Sequence, residues 1–408
     1  MLFVKNGVII MKRWISVLII FLLAAGAVSA EKFRFLYREG EKYRVISEVD
    51  EKIFINDVYI QRVNILNKIA IEIAEKKGSS GYLSGLFQIS EKEFNSANPY
   101  KLTDETKSEY WRDEFGYMDI EDKYYMPVVR NVPVFPAGDL QPGDSWTGEG
   151  EEVHDFSAWG IPEPFRFPTN INYKYLGKGE LEGSEYDLIS VQYNVFYKPA
   201  RFYNMPDLYP VLISGYSDQV VYWDSKAGRP FAYKEEFDFI FEFADGSSYE
   251  ALGTAQAIII ESSYMDKEKI ADDIQAQIDN NGLKDTGVIS DEQGVTITLS
   301  DIQFQPDSSV LLESEKEKLR RIADILKKYP DRDIRITGHT ALAGTEEGRL
   351  NLSTERARAV GEFLLSLGVR DKSQMIINGV GATQPVADNN TEEGMKKNRR
   401  VEITILEN

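Results

Sequence analysis

The sequence predicts two folded parts of different class: an antiparallel all-β domain, sandwich or barrel, followed by an α/β sandwich. Three observations lead there. At 408 residues the chain exceeds what one ordinary core absorbs. Aromatic residues fall in period-2 segments through the first half, whereas the C-terminal part alternates strand-like and helix-like patterns. Charge divides the same way. Of the net −19, three basic residues precede position 31, the stretch from Gly294 holds 17 Lys+Arg against 18 Asp+Glu, and residues 31–293 are left with −21.

Lys12 and Arg13 precede an apolar run from Trp14 to Ala25, and Val28-Ser29-Ala30 supplies small residues after it. This order predicts a secretory signal over residues 1–30 with cleavage after Ala30, and Met11 is a second candidate start. The competing reading, an uncleaved anchor, needs an apolar run of about 20 residues, longer than this one. The chain has no cysteine, so disulfides and a lipid-modified cysteine are both excluded.

Residues 31–262 read as the β domain. Ile69 to Glu75 and Tyr82 to Ile89 alternate around the turn residues 76–81, which predicts a hairpin. Gln219 to Trp223 and Phe231 to Glu236 predict another, closed around Lys226-Ala227-Gly228. Phe237, Phe239, Phe241 and Phe243 share one strand face, Asp245-Gly246 signals a tight turn, and Tyr249 to Ile260 supplies the partner strand. Asp139 to Gly150 and Trp159 to Thr169, rich in Gly and Pro, read as long loops. The segments are uneven and strongly acidic, which favours a water-facing domain over an outer-membrane barrel, the alternative that the aromatic strands raise.

Residues 263–293 read as a linker carrying a short helix, with Ile270, Ile274 and Ile278 at i, i+4 spacing and a stop at Asn280-Asn281-Gly282. From 294 to 408 the order is strand, helix, strand, helix, strand, strand. Val295 to Phe304 is a strand. Ser314 to Glu317 reads as a capping box before a helix bearing Leu319, Ile322, Ala323 and Leu326. Asp333 to Gly338 is the next strand. Thr345, with Glu346 and Glu347, caps a second helix that buries Leu352, Val360, Phe363, Leu364 and Leu367. Met375 to Val380 and Arg400 to Leu406 complete the sheet.

Within this part, Gly338-His339-Thr340, Gly344 and Leu352-Ser353-Thr354-Glu355-Arg356-Ala357 resemble the central motif of the OmpA-like domain family. Gly381, Pro385, Asn389, Thr391, Gly394 and Asn398-Arg399-Arg400-Val401 resemble its closing motifs, and Phe304 to Ser308 its first-strand exit. The resemblance covers about a quarter of the chain, with several motifs in order. It implies non-covalent binding of peptidoglycan through the diamino acid of the stem peptide, in the periplasm and in association with the cell wall or outer membrane. By the same resemblance Arg356 grips the ligand carboxylate, with Asp307, Thr340 and Arg399 lining the pocket. A guanidinium suits that task because two N–H bonds form in parallel, and a place at a helix start near the Thr340 loop lets both reach one pocket.

One position departs from the family pattern. The aspartate that follows Gly-His-Thr, and that accepts the ligand ammonium, is Ala341 here, and the family asparagine before Leu-Ser is Arg349. Three readings stay open: a different diamino acid is bound, another carboxylate (Asp307, Glu346 or Glu347) replaces the missing one, or the fold persists with weak or no wall binding.

The remaining chemistry is sparse. The acidic balance argues against nucleic acid. With two histidines and no cysteine, metal or thiol catalysis has little material, so no cofactor, no metal and no enzyme activity are expected. His154 lies in an acidic run, Glu151 to Asp155, that reads as a solvated loop. The β domain is expected to face a periplasmic or outer-membrane protein partner. A wall-modifying enzyme that carries the C-terminal part as a targeting device is the competing class.

Overall fold

The computed structural model describes residues 2–5, 8–11, 30–96, 98–261, 265–291, 293–300, 302–304 and 309–406. The expected signal lies, except for Ala30, outside the described side chains. A small hairpin, β1 (Leu2–Lys5) and β2 (Val8–Met11), pairs with itself.

One large mixed sheet holds the rest. Its antiparallel portion uses β3 (Lys42–Ile55), β4 (Val58–Lys77), β5 (Ser80–Glu93), β6 (Tyr100–Arg112), β7 (Met118–Ile120), β8 (Val129–Arg130), β9 (Ser145–His154), β10 (Phe165–Leu181), β11 (Ser184–Tyr197), β12 (Pro210–Asp224), β13 (Arg229–Phe243) and β14 (Ser248–Glu261). Hairpin neighbours pair from β9 to β14 and from β3 to β7, and β14 returns to lie against β3. The three hairpins expected from sequence form, and Gly246 takes the positive φ its tight turn requires.

Alternation decides which face is apolar. Along β10, Phe167, Ile171, Tyr173 and Tyr175 are buried while Asn170, Asn172 and Lys174 between them are exposed. An apolar inner face with polar residues outward is the pattern of a water-facing sheet, the reverse of a lipid-facing wall. The inner core draws on strands from both ends of the antiparallel portion, including Ile71, Leu83 and Tyr110 together with Ile189, Val221 and Phe241. Phe33 and Phe35, from the extended segment before β3, complete it. Trp223 is fully buried, with its ring 4.9 Å from Phe35 and 4.7 Å from Phe135.

The C-terminal portion contains α1 (Lys267–Asn280), β15 (Thr286–Ser290), β16 (Gly294–Ser300), α2 (Glu313–Leu326), β17 (Ile334–Gly338), α3 (Glu346–Ser366), β18 (Met375–Gly379), α4 (Glu392–Asn398) and β19 (Arg400–Leu406). Its strands pair in the order β15-β16-β19-β17-β18. A second apolar core unites the helices with this sheet through Ile297, Leu319, Ile336, Val360 and Ile403. The two portions join where Ile376 and Ile377 of β18 run parallel to Tyr100 and Lys101 of β6. No helix among the described residues is long and apolar enough to cross a membrane.

Several expectations are corrected. The stretches read as long loops contain the starts of the strands β9 and β10. Gly148 and Gly150 lie inside β9, where a Cβ would stand 2.3 Å from Val134 and 2.7 Å from Ile171, so these glycines serve close packing and not turns. The segment read as a linker is packed. Ile274 and Ile278 of α1 enter the second core, and β15 pairs with β16. The capping box is absent: α2 starts at Glu313, Leu312 occupies the N-cap, and Glu313 and Glu315 favour the positive helix end by charge. His154 is no part of a solvated loop. It ends β9, stacks on Phe167 and lies 2.8 Å from Glu152, a buried carboxylate that also accepts from Tyr193.

Where the two portions meet, Asp333 is buried between two cations. Arg44 Nη1 and Lys68 Nζ donate to its Oδ2 at 2.7 and 2.9 Å. Burial penalises the Asp333 carboxylate, but Lys68 and Arg44 more than offset this and hold its pKa down. Asp333→Ala would leave both cations buried without their counter-charge. We expect a loss of about 3–5 kcal/mol in urea unfolding, and an unchanged midpoint would show that the cations relax to solvent.

Candidate functional site

The candidate residues gather at one end of the C-terminal sheet. The registers Ser300↔Arg400, Gly338↔Val401 and Gly338↔Gly379 place the exits of β16, β17 and β18 beside the start of β19. Thr340 and Ala341 follow β17, and Arg399 precedes β19. Arg349 and Arg356 come from α3, where with Ser353 they share one face at helical spacing.

Two glycines allow the helix to approach. A Cβ on Gly338 would stand 2.1 Å from the Ser353 carbonyl oxygen, and one on Gly379 would stand 2.1 Å from Thr354 Oγ1. Ser353 then links the layers: its Oγ accepts from the Gly381 N–H at 2.9 Å, and Gly381 O accepts from the Thr340 N–H at 2.8 Å. Gly381 adopts a positive φ and lies against the backbone of Arg349 and Leu350. The helix begins as expected, with Thr345 Oγ1 accepting from the Gly348 N–H at 3.1 Å. Arg356, however, sits well inside α3 and not at its start, because that helix begins ten residues earlier. Ser353, one turn before it, is the residue of this face that meets the sheet end.

The side chains differ in state. Thr340 is buried, and its Oγ1 has no hydrogen-bond partner among the described residues. Ala341 is buried too, so the position where the family pattern has aspartate holds a methyl group in a closed setting. Arg349 donates from Nη1 to the Gly344 carbonyl at 2.5 Å, which ties it to the loop before α3. Arg356 is half-buried and places its guanidinium 5.0 Å from the centroid of the Phe304 ring. Asp307 lies outside the described residues; Phe304, three positions before it, forms a bridge with Leu311. Arg399 is half-buried at the junction of α4 and β19.

The second wall is the loop from 380 to 398. Asn398 is fully buried and anchors it: Oδ1 accepts from the N–H groups of Val386 and Ala387 at 2.8 and 3.0 Å, and Nδ2 donates to Ala387 O and Asn389 Oδ1. Asn389 Oδ1 accepts in turn from the Leu342 N–H at 3.0 Å, which joins this wall to the Thr340 loop. Leu342, Leu350 and Val386 stand exposed around the opening.

Sequence reasoning missed Glu402. Its carboxylate lies 3.2 Å from His339 Nε2 and accepts from Arg400 Nε at 2.7 Å. The signal was a lone acid on the face of β19 opposite Val401, Ile403 and Ile405, next to Arg400. Burial acts to raise its pKa, yet His339 and Arg400 outweigh burial and hold it at about 2. A pKa below the ordinary value of 4.5 means that this stabilisation is complete above 4.5 and fades as pH falls toward 2. Comparing the chain with Glu402→Gln, we expect the acid-dependent loss between about pH 5 and 2 to shrink by on the order of 2 kcal/mol, read from urea midpoints. Parallel pH profiles would refute the pairing. For the wall loop, Asn398→Ala should cost about 2–4 kcal/mol in the same assay, because two backbone N–H groups lose their acceptor.

Among the described residues no group of histidines and carboxylates could hold a metal ion. Residues 303–399 match the OmpA family. Over 109 residues the chain is 38% identical to the peptidoglycan-binding protein ArfA of Mycobacterium tuberculosis, which covers 27% of this chain and 33% of that protein. Over 136 residues it is 33% identical to the probable lipoprotein YiaD of Escherichia coli, covering 33% of this chain and 62% of that protein. The chain therefore spans between about a third and three fifths of these relatives. An outer membrane protein structure from Borrelia burgdorferi is 37% identical over 30% of this chain and 96% of that one, with a TM-score of 0.25.

Proposed function

We propose that the OmpA family segment binds peptidoglycan non-covalently and anchors an exported protein of the cell envelope to the wall. The observation that carries this reading is the buried, unpartnered hydroxyl of Thr340, set at the sheet end where Arg349, Arg356 and Arg399 also collect. A buried hydroxyl without a partner is costly, and a ligand amide or carboxylate entering this end would satisfy it. The arginines supply charge for a stem-peptide carboxylate. The name of one relative, a peptidoglycan-binding protein, points the same way.

In this reading Arg356 takes the ligand carboxylate from its seat over Phe304, and the closed methyl of Ala341 leaves the ammonium to be met elsewhere in the pocket. Asp307, Glu346 and Glu347 remain the candidates for that role. Arg349, tied to Gly344, shapes the loop and adds positive charge. The β portion, with polar residues outward, projects toward a periplasmic or outer-membrane partner. The whole is a binding protein and not a catalyst.

Co-sedimentation of the full chain with purified sacculi tests the proposal. Thr340→Val and Arg356→Ala should each weaken binding about tenfold while leaving the circular dichroism spectrum unchanged. Full retention by both variants would remove this end of the sheet from consideration. Ala341→Asp should strengthen binding to sacculi built on meso-diaminopimelate, and an unchanged affinity would mean that the ammonium is already satisfied.

A further inference from the structure

We propose that the cavity between the outer face of the antiparallel sheet and the C-terminal portion binds a small, multiply charged oxyanion: a compound that carries phosphate groups or clustered carboxylates. The cavity has a volume of about 540 Å³, within the range of small-molecule sites. It lies away from the wall-binding site, at the other end of β17, and does not depend on that reading.

Its floor follows from strand register. Lys42 opposes Glu72, Arg44 opposes Ala70, which opposes Leu86, which opposes Lys107, and Lys68 opposes Gln88, which opposes Glu105. Successive residues of a strand alternate faces, so these side chains share the outer one. The small Ala70 keeps the centre of the floor low while cations stand around it. Lys267, at the start of α1, and Arg335, on β17, close the cavity from the C-terminal side.

The charge is unusual for this chain. Among the described residues six cations line the cavity (Lys42, Arg44, Lys68, Lys107, Lys267 and Arg335) against two carboxylates, Glu72 and Glu105. Asp333, bonded to Arg44 and Lys68, and Glu109, paired with Lys107, stand beside them. Five of these cations come from residues 31–293, a stretch that is net −21. Lys68, Arg44 and Arg335 are all buried, at 5%, 7% and 7% exposure. Grouping buried like charges is unfavourable unless a counter-charge joins them.

Donors are also available. Arg335 gives its Nη1 to Glu105 and its Nη2 to Gln293, and Arg44 gives its Nη1 to Asp333. The Nε of each is buried and has no acceptor among the described residues. Guanidinium groups are suited to oxyanions, which accept several N–H bonds in one plane. Burial lowers the Lys68 pKa, which Asp333 beside it acts to raise.

Isothermal titration of the full chain with inorganic pyrophosphate, and separately with citrate, tests the site. Saturable binding of one probe per chain is expected. The Lys42→Gln/Lys107→Gln double variant should weaken it about tenfold or more. These lysines stand at the rim, with side chains 48% and 66% exposed, so the unliganded variant should melt like the parent. Preference for pyrophosphate would assign a phosphate-bearing ligand, and preference for citrate a polycarboxylate. Absence of binding by either probe at about 10 mM, or equal binding by parent and variant, would overturn the proposal.

Discussion

The arrangement of the whole molecule depends on one carboxylate. Asp333 immediately precedes β17, and the cations that close over it, Arg44 and Lys68, come from β3 and β4. A buried ion pair adds little net stability, because desolvation consumes most of its attraction. Its effect is geometric: once Asp333 is buried, any rotation of the C-terminal portion leaves charges unpaired. The short parallel pairing of β18 with β6 and the bond from Arg335 to Glu105 act in the same direction. Together they make two portions with separate cores share one sheet.

That anchoring decides what each end of β17 can do. The strand has five residues, roughly 17 Å at ordinary rise. Its first end is committed to the antiparallel sheet and the cation-lined cavity. Its last end, at Gly338, points away and carries the Thr340 loop. There the construction is economical: two glycines without side chains let α3 approach, Ser353 and Gly381 bridge helix to loop, and Asn398 fixes the opposite wall. The result is an opening whose buried Thr340 hydroxyl has no partner among the described residues, the feature on which the proposed binding rests.

Much of this was legible in the sequence. Period-2 aromatics gave the hairpins β4–β5, β12–β13 and β13–β14, and helical spacing gave α1, α2 and α3, because each pattern states locally which face meets a core. The motif residues from Gly338 to Val401 pointed to the OmpA family segment, which residues 303–399 match. The errors share one origin. Gly148 and Gly150 read as turn residues, yet they lie in a strand because Ile171 and Val134 press against it. Glu151 to Asp155 read as solvated, yet Glu152 is held inside by Tyr193 and His154. In both cases the deciding neighbour is distant in sequence.

The sequence by itself therefore determined the element types and apolar faces of its periodic segments and the residues of the OmpA-like motif, since backbone geometry ties these to short-range spacing. Only the tertiary structure decided that Asp333 meets Arg44 and Lys68, that Arg356 lies over Phe304 well inside its helix, and that cations from both portions converge on one cavity. Those outcomes rest on strand register and on the docking of one portion against the other, and contacts spanning 289 and 265 residues leave no periodic trace along the chain.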